Sequence, residues 1–179
     1  FVSFEKKYPG IDGLTWNGRD GDRRILVDLE KPVWDEVARD LQARITDAVI
    51  ADAVARIPAA YRAIEGADLE ATLRSRRDRL TEVPDRFYHF LACDVDIHAT
   101  DQEETATVTR TESGDVELTV ALKRNVDAPY FRRVFHADET DEVRLYLGGG
   151  ADSVVTKGGK GRITVRVIGG EEDFIDDTA

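Results

Sequence analysis

The chain has 179 residues, a hydrophobic fraction of 41% and a formal net charge of -11. This length and composition are typical of a folded domain with one sizeable core, or of two small subdomains that share one, and they argue against a disordered chain. The negative charge argues against binding to nucleic acid or to an anionic membrane surface, because both require a basic footprint.

Three further features of the composition limit the possible structures. The sequence begins with Phe1 and contains no methionine, so we expect it to be a piece of a longer protein. Cys93 is the single cysteine, which excludes an intrachain disulfide and a cysteine-based zinc site. No run of 18 apolar residues occurs, so we expect no direct membrane insertion by this chain.

The first 31 residues are rich in glycine, aspartate and turn signals, so few regular elements are expected there. We expect this segment to wrap the body of the protein through apolar side chains. These anchors are Phe1, Phe4, Tyr8, Leu14 and Trp16.

About three helices are predicted next. The first runs from about residue 32 to residue 56, where apolar residues recur at helical spacing, and Pro58 ends it. The second begins near Gly66 or Asp68, and the third begins near Pro84. The apolar stripe of the first helix comprises Val33, Val37, Leu41, Ile45, Ala48, Val49, Ala53 and Ile57.

After Cys93 the hydrophobic period changes from that of a helix to that of a strand. Two strands flank Ser113-Gly114-Asp115 and form a predicted hairpin. The predicted strands are 95–98, 106–110, 116–122, 130–135, 142–147, 153–156 and 162–168. The expected fold class is therefore α+β, with a helical part over residues 1–93 and a β-rich part over residues 94–179.

A weak internal repeat lies in the β-rich part. Residues 147–154 match residues 168–175, an offset of 21 residues between Leu147 and Ile168. Glycines allow corners with positive φ, and the aspartate of each copy can cap turn N–H groups. The period suits one coil of a short β-solenoid, and the alternative is an ordinary antiparallel sheet with glycine-rich turns.

The aspartates near these corners suggest calcium, because oxygen ligands suit a hard cation. The candidate ligands are Asp152, Asp173, Asp176 and Asp177. In so acidic a chain, the competing interpretation is that these carboxylates are simply solvated.

A second candidate site is Asp96 with His98, which would share one face of a strand. This pair is suited to metal binding or to acid–base chemistry in a hydrolase with an unrecognised site. The competing interpretation is an inert pair on an exposed strand face. No nucleophile elbow and no phosphate-binding loop occur in the sequence, so enzyme activity is not the favoured hypothesis.

Several stretches, covering roughly residues 70–179, carry a resemblance of pattern. They are residues 73–80 (LRSRRDRL), 87–91 (FYHFL), 95–97 (VDI), 140–146 (TDEVRLY) and 163–170 (ITVRVIGG). In these stretches the chain resembles the middle region of large bacterial envelope proteins. That region lies between a calcineurin-like metallophosphoesterase and a C-terminal surface-antigen (BamA-like) outer-membrane barrel.

The resemblance implies a non-catalytic structural or interaction module on the periplasmic or surface side of the cell envelope. Its expected partners are other domains of the parent protein. No cofactor is expected apart from the calcium considered above. Phosphoesterase activity is not implied. Asp96-Ile97-His98 fits that family's Asp-x-His motif, but no Gly-Asn-His-Asp/Glu motif accompanies it.

Overall fold

The computed structural model describes residues 4–176, and within them six helices precede eight strands. The predicted α+β fold class is confirmed. The helices are α1 (Ile11–Thr15), α2 (Arg19–Ile25), α3 (Lys31–Arg44), α4 (Asp47–Ala55), α5 (Ala59–Asp78) and α6 (Glu82–Ala92). The strands are β1 (Asp94–His98), β2 (Glu104–Arg110), β3 (Val116–Leu122), β4 (Phe131–Phe135), β5 (Glu142–Tyr146), β6 (Ser153–Lys157), β7 (Thr164–Ile168) and β8 (Phe174–Asp176).

The chain divides into two compact units. The described part of the first comprises residues 4–17 and 29–88, and that of the second comprises residues 18–28 and 89–176. No helix within residues 4–176 has the length and apolarity needed to cross a membrane. Strand β1 does begin directly after residue 93, but the proposed division into domains at that residue stays a prediction.

The helices of the first unit differ from the prediction of one long first helix. The chain breaks after Arg44, and α4 starts anew with Thr46 as its N-cap, whose hydroxyl accepts a hydrogen bond from the Val49 N–H at 3.3 Å. Helix α5 also begins earlier than expected, directly after Pro58. The break divides the predicted apolar stripe between two helices.

The predicted stripe is mostly not the buried one. Val33, Val37 and Leu41 on α3 are 41%, 53% and 42% exposed. The side chains that α3 and α4 do bury are Ala38, Ile50 and Val54. Because the predicted helix is divided into α3 and α4, helical spacing along the sequence does not identify one common buried face.

The N-terminal segment also differs from its prediction. It forms the short helices α1 and α2, and the proposed anchors Phe4, Leu14 and Trp16 are all about half exposed. Ile11 is the buried residue of α1. Tyr8 is partly buried and donates a hydrogen bond to the Arg76 carbonyl at 3.1 Å, whereas Phe1 lies outside the described residues.

The second unit contains two sheets. Strands β1, β5 and β7 form a parallel sheet in the order β1-β5-β7. The other sheet has the order β4-β3-β2-β6-β8, in which β2, β6 and β8 are parallel and the β2–β3 and β3–β4 contacts are antiparallel. The hairpin predicted around Ser113-Gly114-Asp115 is the β2–β3 connection.

Three consecutive strand pairs, β1–β2, β5–β6 and β7–β8, each give one strand to each sheet. We call the segment that joins the two strands of a pair its corner. Ser153 is in register with Phe174, a spacing of 21 residues, which is the offset of the sequence repeat. The structure does not show a solenoid, because the antiparallel strands β3 and β4 belong to one of the sheets. It does not show an ordinary antiparallel sheet either, because the other neighbouring strands are parallel.

The core of this unit consists of inward-facing side chains from both sheets, which are aliphatic apart from Phe135. Val143, Leu145, Leu118 and Val154 have no exposed surface. Burial of such a side chain contributes roughly 1.5–3 kcal/mol. The alternation of buried and half-buried residues along β2, β3 and β5 is the period-two pattern from which these strands were predicted.

Candidate functional site

The candidate site lies at the corners of the strand pairs. Glu104, Asp152 and Asp173 each stand one residue before the aligned positions Thr105, Ser153 and Phe174. We call these three residues the corner carboxylates. Their side chains therefore recur at the same place in successive strand pairs.

Each later corner carboxylate accepts a hydrogen bond from the preceding one's backbone. Oδ1 of Asp152 accepts from the Glu104 N–H at 2.8 Å, and Oδ1 of Asp173 accepts from the Asp152 N–H at 3.0 Å. Oδ2 of Asp173 accepts from the Gly170 N–H at 2.6 Å within its own corner. The aspartates thus join neighbouring corners and satisfy N–H groups that the strands leave unpaired.

Asp152 is the most deeply placed of the two repeat aspartates, with 1% of its surface exposed. Burial is the main cause that raises its pKa, and the nearby carboxylates of Glu104 and Asp173 raise it further. The hydrogen bond from the Glu104 N–H and the charge of Lys123 act in the opposite direction. Its Oδ2 has no hydrogen-bond partner among the described residues.

Glu104, which is 1% exposed, is held by a separate set of donors. Its carboxylate accepts from the Thr100 N–H at 3.2 Å, from the Thr100 hydroxyl, and from the Tyr130 hydroxyl at 3.2 Å. Burial, and then the Glu104 charge, raise the pKa of Tyr130 well above its usual range. Lys123 donates to the Ala151 carbonyl beside Asp152.

The sequence repeat did not identify Glu104, Tyr130 or Lys123. The first strand pair is separated from the second by 48 residues, from Glu104 to Asp152, because β3 and β4 are inserted between them. The insertion removes the fixed period on which the repeat was recognised. An acidic residue directly before an alternating strand was the signal that could have identified Glu104.

The four calcium candidates are not gathered into a metal centre. Asp152 and Asp173 lie next to each other, but three of their four carboxylate oxygens accept backbone hydrogen bonds. Asp176 lies at the end of β8 in register with Val155, and Asp177 is outside the described residues. Within residues 4–176, no group of three or more His, Cys, Asp or Glu side chains is placed to hold a metal ion.

Asp96 and His98 share one face of β1, as expected for residues two apart in a strand. Each contacts its register partner on β5. The Oδ1 atom of Asp96 lies 2.7 Å from Nε of Arg144, and the His98 ring stacks on the Tyr146 ring with centroids 4.6 Å apart. The two side chains therefore take part in two separate cross-strand contacts.

The first unit contains an arginine-rich stretch at the end of α5. Arg76 lies over the rings of Phe4 and Tyr8, at 4.1 and 5.1 Å from their centroids. Arg77 pairs with Asp47, and this contact lowers the pKa of the Asp47 carboxyl. These guanidinium groups therefore support contacts inside the first unit.

The chain was compared with protein-family models, with curated proteins and with solved structures, and none of the three comparisons gave a match. The comparisons therefore add no support to any proposal about function.

Proposed function

We propose that this chain is a non-catalytic structural or interaction module of a larger bacterial envelope protein. One observation carries the proposal. Four of the six polar residues that the sequence marks as candidate ligands or catalysts are engaged in contacts that support the fold. Asp152 and Asp173 bind backbone N–H groups, Asp96 pairs with Arg144, and His98 stacks on Tyr146.

The parent and the compartment are part of the same proposal. The resemblance in residues 70–179 supports a position between a calcineurin-like metallophosphoesterase and a surface-antigen barrel, on the periplasmic or surface side of the envelope. The partners are other domains of the parent protein, and the net charge of -11 argues against nucleic acid. An antibody raised against this chain should detect its parent in the envelope fraction of the producing cells, and detection in the cytosol would contradict this placement.

An assay of hydrolysis tests the absence of catalysis. We expect no turnover of p-nitrophenyl phosphate, bis(p-nitrophenyl) phosphate or p-nitrophenyl acetate above that of a matched variant carrying Asp96→Asn and His98→Ala. The assay includes Mn²⁺, Mg²⁺ and Ca²⁺, because a two-metal or Lewis-acid mechanism needs an added ion. Turnover by the wild-type chain that is lost in the variant would reject the proposal and favour the hydrolase hypothesis.

A calcium-stabilised β module is the second candidate. It is favoured by one observation, namely that Oδ2 of buried Asp152 has no hydrogen-bond partner among the described residues. Calcium normally takes six to eight oxygen ligands, so Asp173 and corner carbonyls would have to turn towards the same ion. Asp176 would have to join them, and Asp177, the fourth candidate, lies outside the described residues.

Thermal unfolding in excess Ca²⁺ and in excess chelator separates the two candidates. An ion that binds only the folded state raises the unfolding midpoint. At a calcium concentration of one hundred times the Kd, it adds about 2.7 kcal/mol to the free energy of unfolding. The non-catalytic module is expected to unfold at the same midpoint in both conditions. A midpoint that calcium raises in the wild type, and does not raise in Asp152→Asn, would establish the calcium module instead.

A further inference from the structure

The last strand pair has an open outer edge. Among residues 4–176, no strand pairs with the outer side of β7 or β8. The Thr164 N–H donates to the Asp141 carbonyl, and the Ile168 carbonyl accepts from the Leu147 N–H, both at 2.9 Å. Because backbone groups alternate sides along a strand, the N–H and C=O groups of Val165 and Val167 point away from β5.

The same reasoning applies to β8. The Phe174 N–H donates to the Asp152 carbonyl at 2.9 Å, on the side of β6. The backbone groups of Ile175 therefore point outward. The two strands of the last pair, β7 and β8, thus each present outward-pointing backbone N–H and C=O groups, one strand in each sheet.

One core-facing row of side chains loses its cover at this edge. The row consists of Ala106, Val154 and Ile175, whose side chains are 1%, 0% and 50% exposed. Phe174 is 64% exposed, but it is in register with Ser153 and lies on the other face of β8. Ile175, which continues the buried row, therefore remains exposed to solvent where another strand pair would cover it.

The corner carboxylates define what such a strand pair would contribute. The N–H of Glu104 is bound by Asp152, and the N–H of Asp152 is bound by Asp173. The N–H of Asp173, at the equivalent position of the last pair, has no acceptor among the described residues. An acidic side chain at the corner of an added pair would accept a hydrogen bond from the Asp173 N–H, as Asp173 accepts one from the Asp152 N–H.

We propose that the open edge of β7 and β8 binds a strand pair of a partner polypeptide that runs parallel to them and carries an acidic residue at its corner. Binding by strand addition uses main-chain hydrogen bonds for affinity and side-chain positions for specificity. The inference rests on the interaction function proposed above and names the surface and chemistry of that interaction. A second copy does not fit as well, because a two-fold axis would pair β7 antiparallel to itself and bring no carboxylate to the Asp173 N–H.

A peptide that copies the last strand pair is the probe for this edge. It has the sequence of residues 163–176, carries a fluorophore, and is titrated with the purified chain while its anisotropy is measured. We expect saturable binding, and about tenfold weaker binding of an Asp173→Ala peptide, because the hydrogen bond to the Asp173 N–H of the protein is lost. Absence of saturable binding up to millimolar protein, or equal binding of both peptides, would overturn the proposal.

Two variants of the protein locate the binding edge. Val167→Pro removes one outward N–H without touching the pairing with β5, and Ile175→Lys places a charge on the exposed apolar row. Arg166→Ala is the matched control, because its backbone faces β5 and its side chain is exposed. Unfolding midpoints confirm that each variant is folded, so that a loss of peptide binding is a property of the edge.

We expect Ile175→Lys and Val167→Pro to weaken binding at least about tenfold and Arg166→Ala to leave it unchanged. Equal binding of all folded variants, or a dimer of the protein alone that Ile175→Lys dissociates, would show that the proposed occupant is wrong. Failure of peptide binding leaves the hydrolysis result unaffected. Turnover that depends on Asp96 would instead reject the non-catalytic function, so the two failures are distinguishable.

Discussion

Asp152 and Asp173 perform the same task at two successive corners, although their surroundings differ. Each accepts a backbone hydrogen bond from the strand pair before it, but Asp152 is buried and Asp173 is only partly covered. The sequence predicted that these aspartates cap turn N–H groups. The Gly170 N–H is such a turn group for Asp173. The N–H groups of Glu104 and Asp152 belong to neighbouring strand pairs, so local turn chemistry could not predict these contacts.

Removal of the Asp173 side chain is predicted to destabilise the second unit. Asp173→Ala leaves the Asp152 N–H without its acceptor, and an unsatisfied buried backbone group costs about 1–3 kcal/mol. Glu172→Ala is the control, because Glu172 is exposed and changes of this kind are usually within about 0.5 kcal/mol. Urea unfolding measures both, and equal midpoints for the two variants would show that Asp173 is not a structural acceptor.

The raised pKa of Asp152 predicts how Asp152→Asn alters the pH dependence of stability. Because the folded state favours the protonated carboxyl, the wild type loses stability as the pH rises from the ordinary carboxyl pKa through the raised one. Asparagine does not titrate and can still accept from the Glu104 N–H. We therefore expect the free energy of unfolding of the variant, relative to the wild type, to increase between acidic and neutral pH.

Asp115 should show the opposite dependence. The hydrogen bond from the Ala137 N–H at 2.9 Å, and then the Ser113 hydroxyl, lower its pKa. Its contribution is present above the ordinary carboxyl pKa and is lost as the pH falls through the lowered one. Asp115→Asn should therefore destabilise at neutral pH and converge with the wild type in acid, and a constant difference across the pH range would contradict this.

At the scale of elements, strands were predicted more successfully than helices. The strands of the second unit have one buried face, so a period of two in the sequence maps directly onto burial, as in β2 and β5. Helices α3 and α4 are separated at Thr46, and nothing in the apolar spacing marks that break. Each helix therefore buries its own residues, Ala38 on α3 and Ile50 and Val54 on α4, and the apolar spacing across both did not identify them.

The corner between β5 and β6 depends on glycine. Gly148 has a φ of +41°, and a Cβ atom there would lie 2.2 Å from the Thr100 carbonyl oxygen. Gly148→Ala therefore requires movement of the backbone, and we expect it to cost more than about 1 kcal/mol of stability. Gly159→Ala is the control, since nothing lies within 4 Å of the position a Cβ would take; comparable losses for both variants would contradict this role of Gly148.

At the scale of the whole molecule, the sequence allowed the α+β class and the order of helices before strands to be predicted. It also marked the aspartates that recur at the corners. It did not reveal that the strands alternate between two sheets, because the first strand pair is separated from the others by the antiparallel strands β3 and β4. The same insertion separated Glu104 from the two carboxylates with which it aligns.

The corner carboxylates of Asp152 and Asp173 accept the hydrogen bonds that join successive strand pairs. Amide hydrogen exchange resolved by residue tests this role directly. We expect the Asp152 N–H to be protected in the wild type and to exchange at least about tenfold faster in Asp173→Ala, as the loss of one hydrogen bond predicts. The Glu104 N–H, whose acceptor is Asp152, should change less in that variant. An Asp152 N–H that exchanges freely in the wild type, or equally slowly in both proteins, would contradict the structural role of these carboxylates.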